Sequence, residues 1–144
     1  MSSITAKLMV HAGCAAISAF VFGFFLVRTT IRGLDGLYFT VALLSGVAVM
    51  FVLFWTYSTI RRLPVGETAK ISARQYLWSC IFFSMLSLSF GFAVSGLIWY
   101  STDFLRIFSA IWFGALTCVG IYPVVRDTKR LADTAAPSQI KSVR

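Results

Sequence analysis

The sequence predicts an all-α membrane protein whose four transmembrane helices form two tandem hairpins, repeated in the same orientation, with both termini in the cytoplasm. Three observations predict it. At 58% hydrophobic and 12% charged, with a mean hydropathy of +0.83, the chain has too little polar surface to cover a water-soluble globule. Four apolar runs of spanning length follow one another, none containing Asp, Glu, Lys or Arg. Finally, Phe22-Gly23-Phe24 followed by Asp35 returns as Phe90-Gly91-Phe92 followed by Asp103, an ungapped offset of 68 residues. The same shift lays Ala42 on Ala110, Gly46 on Gly114 and Arg62 on Arg130. Overall identity between the halves is low, so the register rather than any one match carries the reading of a hairpin used twice.

The first run, 8–27, lies between Lys7 and Arg28 and is long enough for a hydrocarbon core roughly 30 Å thick at ~1.5 Å per residue. It is too long for a typical signal-peptide core and three more spans follow, which predicts an uncleaved helix. Ala12-Gly13-Cys14 resembles part of a lipoprotein cleavage site, but His11 stands where an aliphatic residue is wanted. The other runs are 37–60, 76–100 and 107–125. Residues 28–35 make a tight turn. Leu63-Pro64-Val65-Gly66 ends the second helix, and Ser72-Ala73-Arg74-Gln75 is a capping-box pattern that starts the third. The expected organisation is a hairpin over 1–63, a cytoplasmic linker over 64–75, a second hairpin over 76–131 and a mobile cytoplasmic tail over 132–144.

Charge sets the orientation. Ten of the 13 Lys and Arg residues fall on the side of the termini and the middle connection, leaving Arg28, Arg32 and Arg106 opposite. The positive-inside rule makes the first side cytoplasmic and places the protein in a bacterial inner membrane as a multi-pass protein. A net charge of +8 would point to nucleic acid in a soluble protein. Here the basic residues cap apolar runs, so Arg61, Arg62, Arg126, Lys129 and Arg130 are expected to meet anionic lipid headgroups and no nucleic acid is expected.

Small residues recur four apart at repeat-equivalent places: Ala19 and Gly23, Ala42 and Gly46, Ser87 and Gly91, Ala110 and Gly114. Such pairs let helix backbones approach closely. Depth matching within a hairpin predicts Gly23 opposite Ala42 and Ala19 opposite Gly46. Bulkier residues line the cytoplasmic halves, with Met50, Phe51, Phe54, Trp55 and Tyr57 on the second helix and Trp78, Phe82 and Phe83 on the third. They read either as lipid contact with an interfacial belt including Tyr76, or as the walls of a groove for a lipid tail, a quinone or a partner helix.

Asp35 and Asp103 each precede an apolar helix and are expected to cap it, with Ser72 capping the third. His11 is the only histidine, so neither a bis-histidine haem nor a zinc site fits, and a hydrogen-bonded packing role is expected. Cys14, Cys80 and Cys118 stand in separate spans and read as small buried fillers, while Pro123 is expected to kink the fourth helix. The embedded glutamate of small multidrug exporters is missing from the first span, as are a Ser-His-Asp set, paired embedded carboxylates and a phosphate-binding glycine loop. No catalytic residue, cofactor or metal is therefore expected. The function read from these features is that of an accessory or scaffold subunit packing against its own copies or a larger membrane complex. A small channel or transporter assembled as an oligomer is the alternative.

Gly36-Leu-Tyr38-Phe39-Thr-Val41 with Gly46, and Val125-Arg126-Asp127, resemble the YiaA/YiaB family of small bacterial inner-membrane proteins, built from a two-helix unit often carried twice. In that family a glycine-aromatic-aromatic start to the second helix of each unit and a basic-acidic pair at its cytoplasmic end recur. Here only the first unit keeps the start and only the second keeps the pair; Arg61-Arg62 stands in its place in the first. The family's polar residues before the pair are also missing. The resemblance implies the fold and the inner-membrane location, and no established activity.

Overall fold

A computed structural model of the chain describes residues 3–32, 36–62, 67–100 and 103–135. They form four helices: α1 (Ser3–Arg32), α2 (Gly36–Arg61), α3 (Glu67–Trp99) and α4 (Phe104–Ala135). All four are long and apolar enough to cross a membrane. Hydroxyl residues inside them are satisfied locally, as in Thr40 to Gly36 O (2.7 Å), Thr56 to Val52 O (2.8 Å) and Thr117 to Phe113 O (2.7 Å). A hydroxyl in hydrocarbon has no water to bond and returns to its own helix.

Two boundaries differ from expectation. α3 begins at Glu67, so most of the expected 64–75 linker is helix. The breakers Pro64 and Gly66 both precede Glu67, and a carboxylate in the first turn suits the positive end of the helix dipole. α4 runs through Pro123 to Ala135, beyond the expected end of the second hairpin. Val124, Asp127, Thr128 and Leu131 are buried at spacings of three and four, so this last stretch is held by packing rather than left in water.

The spatial order is α2, α1, α3, α4. α1 and α3 share the most extensive interface, α2 packs mainly on α1 and α4 mainly on α3, and α2 does not touch α4 among the described residues. Burial agrees: 28% and 22% of the apolar windows of α1 and α3 are buried against 6% for each of α2 and α4, which makes the first pair the centre and the second pair the flanks. α1 and α3 run parallel. Tyr76 donates to Leu8 O (2.7 Å) near their starts, and Ser95 donates to Phe24 O (2.7 Å) near their ends. Since α2 and α4 return, α1 starts and α4 ends at one end of the bundle. That end also carries Lys7, Arg61, Lys70, Arg74 and Arg126 and is called the basic end below. A core of Leu8, Ala12, Ile60, Tyr76, Cys80, Val124 and Leu131, drawn from all four helices, closes it.

Candidate functional site: a glycine crossing, a buried carboxylate and an open groove

The centre of the molecule is a stripe of small side chains. On α1, Leu8, Ala12, Ala15, Ala16 and Ala19 are buried together with Gly23; on α3, Ala73, Tyr76, Cys80, Ser84 and Ser87 are buried together with Gly91. Where the stripes meet, the Gly23 backbone lies against the carbonyl oxygen of Leu88 and the Gly91 backbone against that of Phe20, so close that neither has room for a Cβ. The two contacts are related by the 68-residue offset. Gly23 therefore does not face Ala42 within its hairpin: it faces α3. The contact within each hairpin is of another kind. The Phe22 ring sits over Gly46, where a Cβ would come within 3.2 Å of it, and the Phe90 ring sits over Gly114, where the distance would be 3.1 Å. Close backbone approach belongs to the parallel central pair, and the hairpins are held by a ring set into a glycine notch. Ala42 and Ser87 are buried and Ala110 is half-buried.

At the basic end the structure brings together groups that spacing alone did not. Asp127, 2% exposed, accepts from Ser79 Oγ on α3 (2.6 Å) and from Arg126 Nε (2.9 Å). A carboxylate taken from water this far needs charge-assisted partners, and it has two. Tyr76 is fully buried one turn before Ser79, so it is a core residue and not part of an interfacial belt. Its ring is enclosed by the core and its hydroxyl reaches a backbone oxygen of α1, so the aromatic body and the polar tip are both satisfied inside. The signal for Asp127 was its spacing of three and four from Val124 and Leu131, which continues the buried face of α4 past Arg126.

At the opposite end Arg28 lies between two rings, 3.1 Å from the Tyr38 centroid on α2 and 4.2 Å from that of Trp99 on α3. One guanidinium thus ties three helices, a contact that its planar charge suits and an ammonium does not. Arg106 lies 4.6 Å from the Tyr100 ring.

The remaining expected site residues divide. Asp103 stands just before α4, and its carbonyl oxygen accepts from Arg106 N (2.9 Å) and Ile107 N (3.1 Å), the backbone pattern of an N-cap. Asp35 lies outside the described residues. Ser72 caps nothing: it is in the second turn of α3 and donates back to Thr68 O (3.2 Å), because the helix has already started at Glu67. His11 is half-buried, and its Nδ1 has no hydrogen-bond partner among the described residues, contrary to the bonded role expected. Of the cysteines only Cys80 is buried; Cys14 and Cys118 are exposed on the bundle surface. Arg61, Arg62, Lys129 and Arg130 are exposed at the basic end, while Arg126 spends its Nε on Asp127. No group of three or more His, Cys, Asp or Glu residues placed to hold a metal occurs among the described residues.

Two surface features complete the site. The outer flanks carry aromatic ladders: Phe104, Phe108 and Trp112 stack in turn along α4 at 6.4 and 6.2 Å, and Phe51 packs on Trp55 along α2 at 5.7 Å. All five side chains are exposed on the bundle surface. Between α2 and α3, which touch only sparsely, runs an open groove. Its middle part, about 420 Å³, is apolar and floored by Ala19 and Gly46. Its part at the basic end, about 340 Å³, is edged by Arg61, Lys70 and Arg74. Comparison with protein-family models, with curated proteins and with solved structures finds no match for this chain.

Proposed function

We propose that the chain is a non-enzymatic accessory or scaffold subunit of a bacterial inner membrane, made of two tandem hairpins with both termini cytoplasmic, that packs against its own copies or a larger membrane complex. The observation that carries this reading is the division of labour among the helices. α1 and α3 bury their small faces in each other, whereas α2 and α4 turn ladders of stacked aromatic rings away from the bundle. Large rigid rings at regular height give a partner helix dispersion contacts that mobile lipid tails match poorly. The duplicated hairpin is supported by the reciprocal glycine contacts at one offset, and the orientation by the bias of Lys and Arg toward the basic end. We also propose kinship with the YiaA/YiaB family, supported by the Arg126-Asp127 pair that binds Ser79.

The test is extraction in a mild detergent followed by mass spectrometry of what stays bound. A partner of fixed stoichiometry, or a defined homo-oligomer, is expected. It should be lost on Phe108→Ala/Trp112→Ala, both exposed, with helix content unchanged. A chain that purifies alone as a monomer, or that gives ion or solute flux in liposomes without any partner, overturns the scaffold reading, the second result in favour of a channel or transporter.

A further inference from the structure

We infer that the α2/α3 groove is a binding site for one anionic glycerophospholipid, its phosphate held by Arg61, Lys70 and Arg74 and one acyl chain laid between the two helices. The lining is continuous. On α2 the groove runs through Leu53, Tyr57 and Ile60, and on α3 through Ala73, Leu77 and Ile81, each set at helical spacings of three and four, so the basic and apolar parts adjoin along both walls. From Arg61 to Gly46 it extends about 22 Å along the helix axis, enough to take a chain from the headgroup level through one leaflet of a hydrocarbon core roughly 30 Å thick.

Charge and polarity are divided as the ligand requires. The three cations gather at one end, from two helices, and the middle of the groove offers an acyl chain only apolar walls apart from Ser84. Arg61, Lys70 and Arg74 are exposed, so their charges are available to a phosphate instead of being spent on a protein carboxylate, as that of Arg126 is. Tyr57 lies between the two parts, with its ring against the groove at the depth where an aromatic hydroxyl meets the ester region. A partner helix would bury the three cations without neutralising them, and a zwitterionic lipid would leave them without net counter-charge.

This inference rests on the membrane reading above and not on the scaffold role. A protein that keeps its partner but retains no lipid overturns this inference alone. The test is native mass spectrometry of the full chain released from micelles containing phosphatidylglycerol or phosphatidylcholine with the same acyl chains, with glycerol phosphate as a soluble competitor. One phosphatidylglycerol per chain is expected, retained over phosphatidylcholine. Arg61→Gln/Lys70→Gln/Arg74→Gln should weaken retention on the order of 100-fold, three interfacial charges acting together. Leu53→Trp, which fills the groove without touching a charge, should weaken it about tenfold, and Lys129→Gln/Arg130→Gln should leave it unchanged. Equal retention of phosphatidylcholine, equal loss in the Lys129/Arg130 variant, or full displacement by glycerol phosphate would overturn the assignment.

Discussion

Replacing Gly91 by alanine tests the central crossing most directly. In an isolated helix the change is favourable, by about 1 kcal/mol, because alanine loses less backbone freedom on ordering. Here the new Cβ would collide with the carbonyl oxygen of Phe20. That oxygen belongs to the α1 backbone and cannot rotate away, so α1 and α3 must separate. Separation opens the whole stripe from Ala12 and Cys80 upward, and a gap of ~0.5–1 Å forfeits a quarter to a half of each dispersion contact. Overpacking of this kind costs about 1–3 kcal/mol, and the rigidity of the obstacle places Gly91 at the top of that range. Set against the propensity gain, the net loss should be about 2 kcal/mol. Reversible unfolding in mixed detergent micelles, followed by far-ultraviolet circular dichroism, reads it against two internal standards. Gly13→Ala, whose Cβ would have nothing within 4 Å, should stabilise; Gly46→Ala, whose only close neighbour is the movable Phe22 ring at 3.2 Å, should be near neutral. Gly23→Ala should resemble Gly91→Ala, and the double variant should cost less than the two together, because one separation relieves both collisions. If Gly91→Ala is as stable as the parent, or if the two costs simply add, the crossing does not depend on backbone approach.

Further consequences follow from the polar groups. Ser79→Ala removes one of the two donors to the buried Asp127 carboxylate and should cost about 1–3 kcal/mol in the same unfolding assay, with Asp127→Leu abolishing the Arg126 contact as well. Tyr76→Phe keeps the ring and loses only the bond to Leu8 O, so it should cost about 1 kcal/mol, whereas Tyr76→Ala empties the core and should cost several times as much, about 3–5 kcal/mol. Arg28→Lys should fail to rescue Arg28→Ala, seen as the same shift in the fluorescence of Trp99 in both variants, measured with the other three tryptophans replaced by phenylalanine.

Composition and run length were enough to read four membrane-length helices, because the cost of exposing apolar surface or unpaired backbone leaves few alternatives. Which helix meets which was not read, for a physical reason. A small residue permits close approach to any neighbour, so Gly23 alone cannot say whether it meets α2 or α3. The information lay in the length of the stripe: small or buried residues continue from Thr5 to Gly23 on α1 and from Ala69 to Ser95 on α3, much further than on α2. The longest small face has the most to gain from another like it. Asp127 was missed because Arg126 reads as the end of a span, after which charge is expected to be solvated. The helix does not stop there, and its inward face carries the carboxylate back into the bundle. Ser72 failed as a cap through the opposite error, a good capping pattern lying inside a helix that Glu67 had already begun.

The groove shows why a repeated pattern need not repeat a site. A second hollow, between α1 and α4, uses positions related to the first by the same offset: Ser87 for Ala19, Phe90 for Phe22, Ala16 for Ser84, Ile17 for Met85, Phe20 for Leu88 and Thr117 for Val49. It holds about 240 Å³ where the first holds about 420 Å³. Phe20 is bulkier than Leu88, and Phe83 enters the hollow from α3 while its counterpart on α1 is Ala15. Gly120 gives Phe83 its room, and the equivalent position on α2 is Val52, so bulk and hollow have been exchanged between the halves at one height. The basic edge has no counterpart either. Offset positions to Arg61, Lys70 and Arg74 are Lys129, Ser2 and Ala6, which leaves one charge where the open groove has three. Interfacial attraction grows with each added cation, so the two sides of this bundle should differ in lipid affinity far more than in backbone shape. The stoichiometry of retained phosphatidylglycerol should therefore be one per chain; two bound with equal affinity would mean that the backbone, and not these side chains, makes the site.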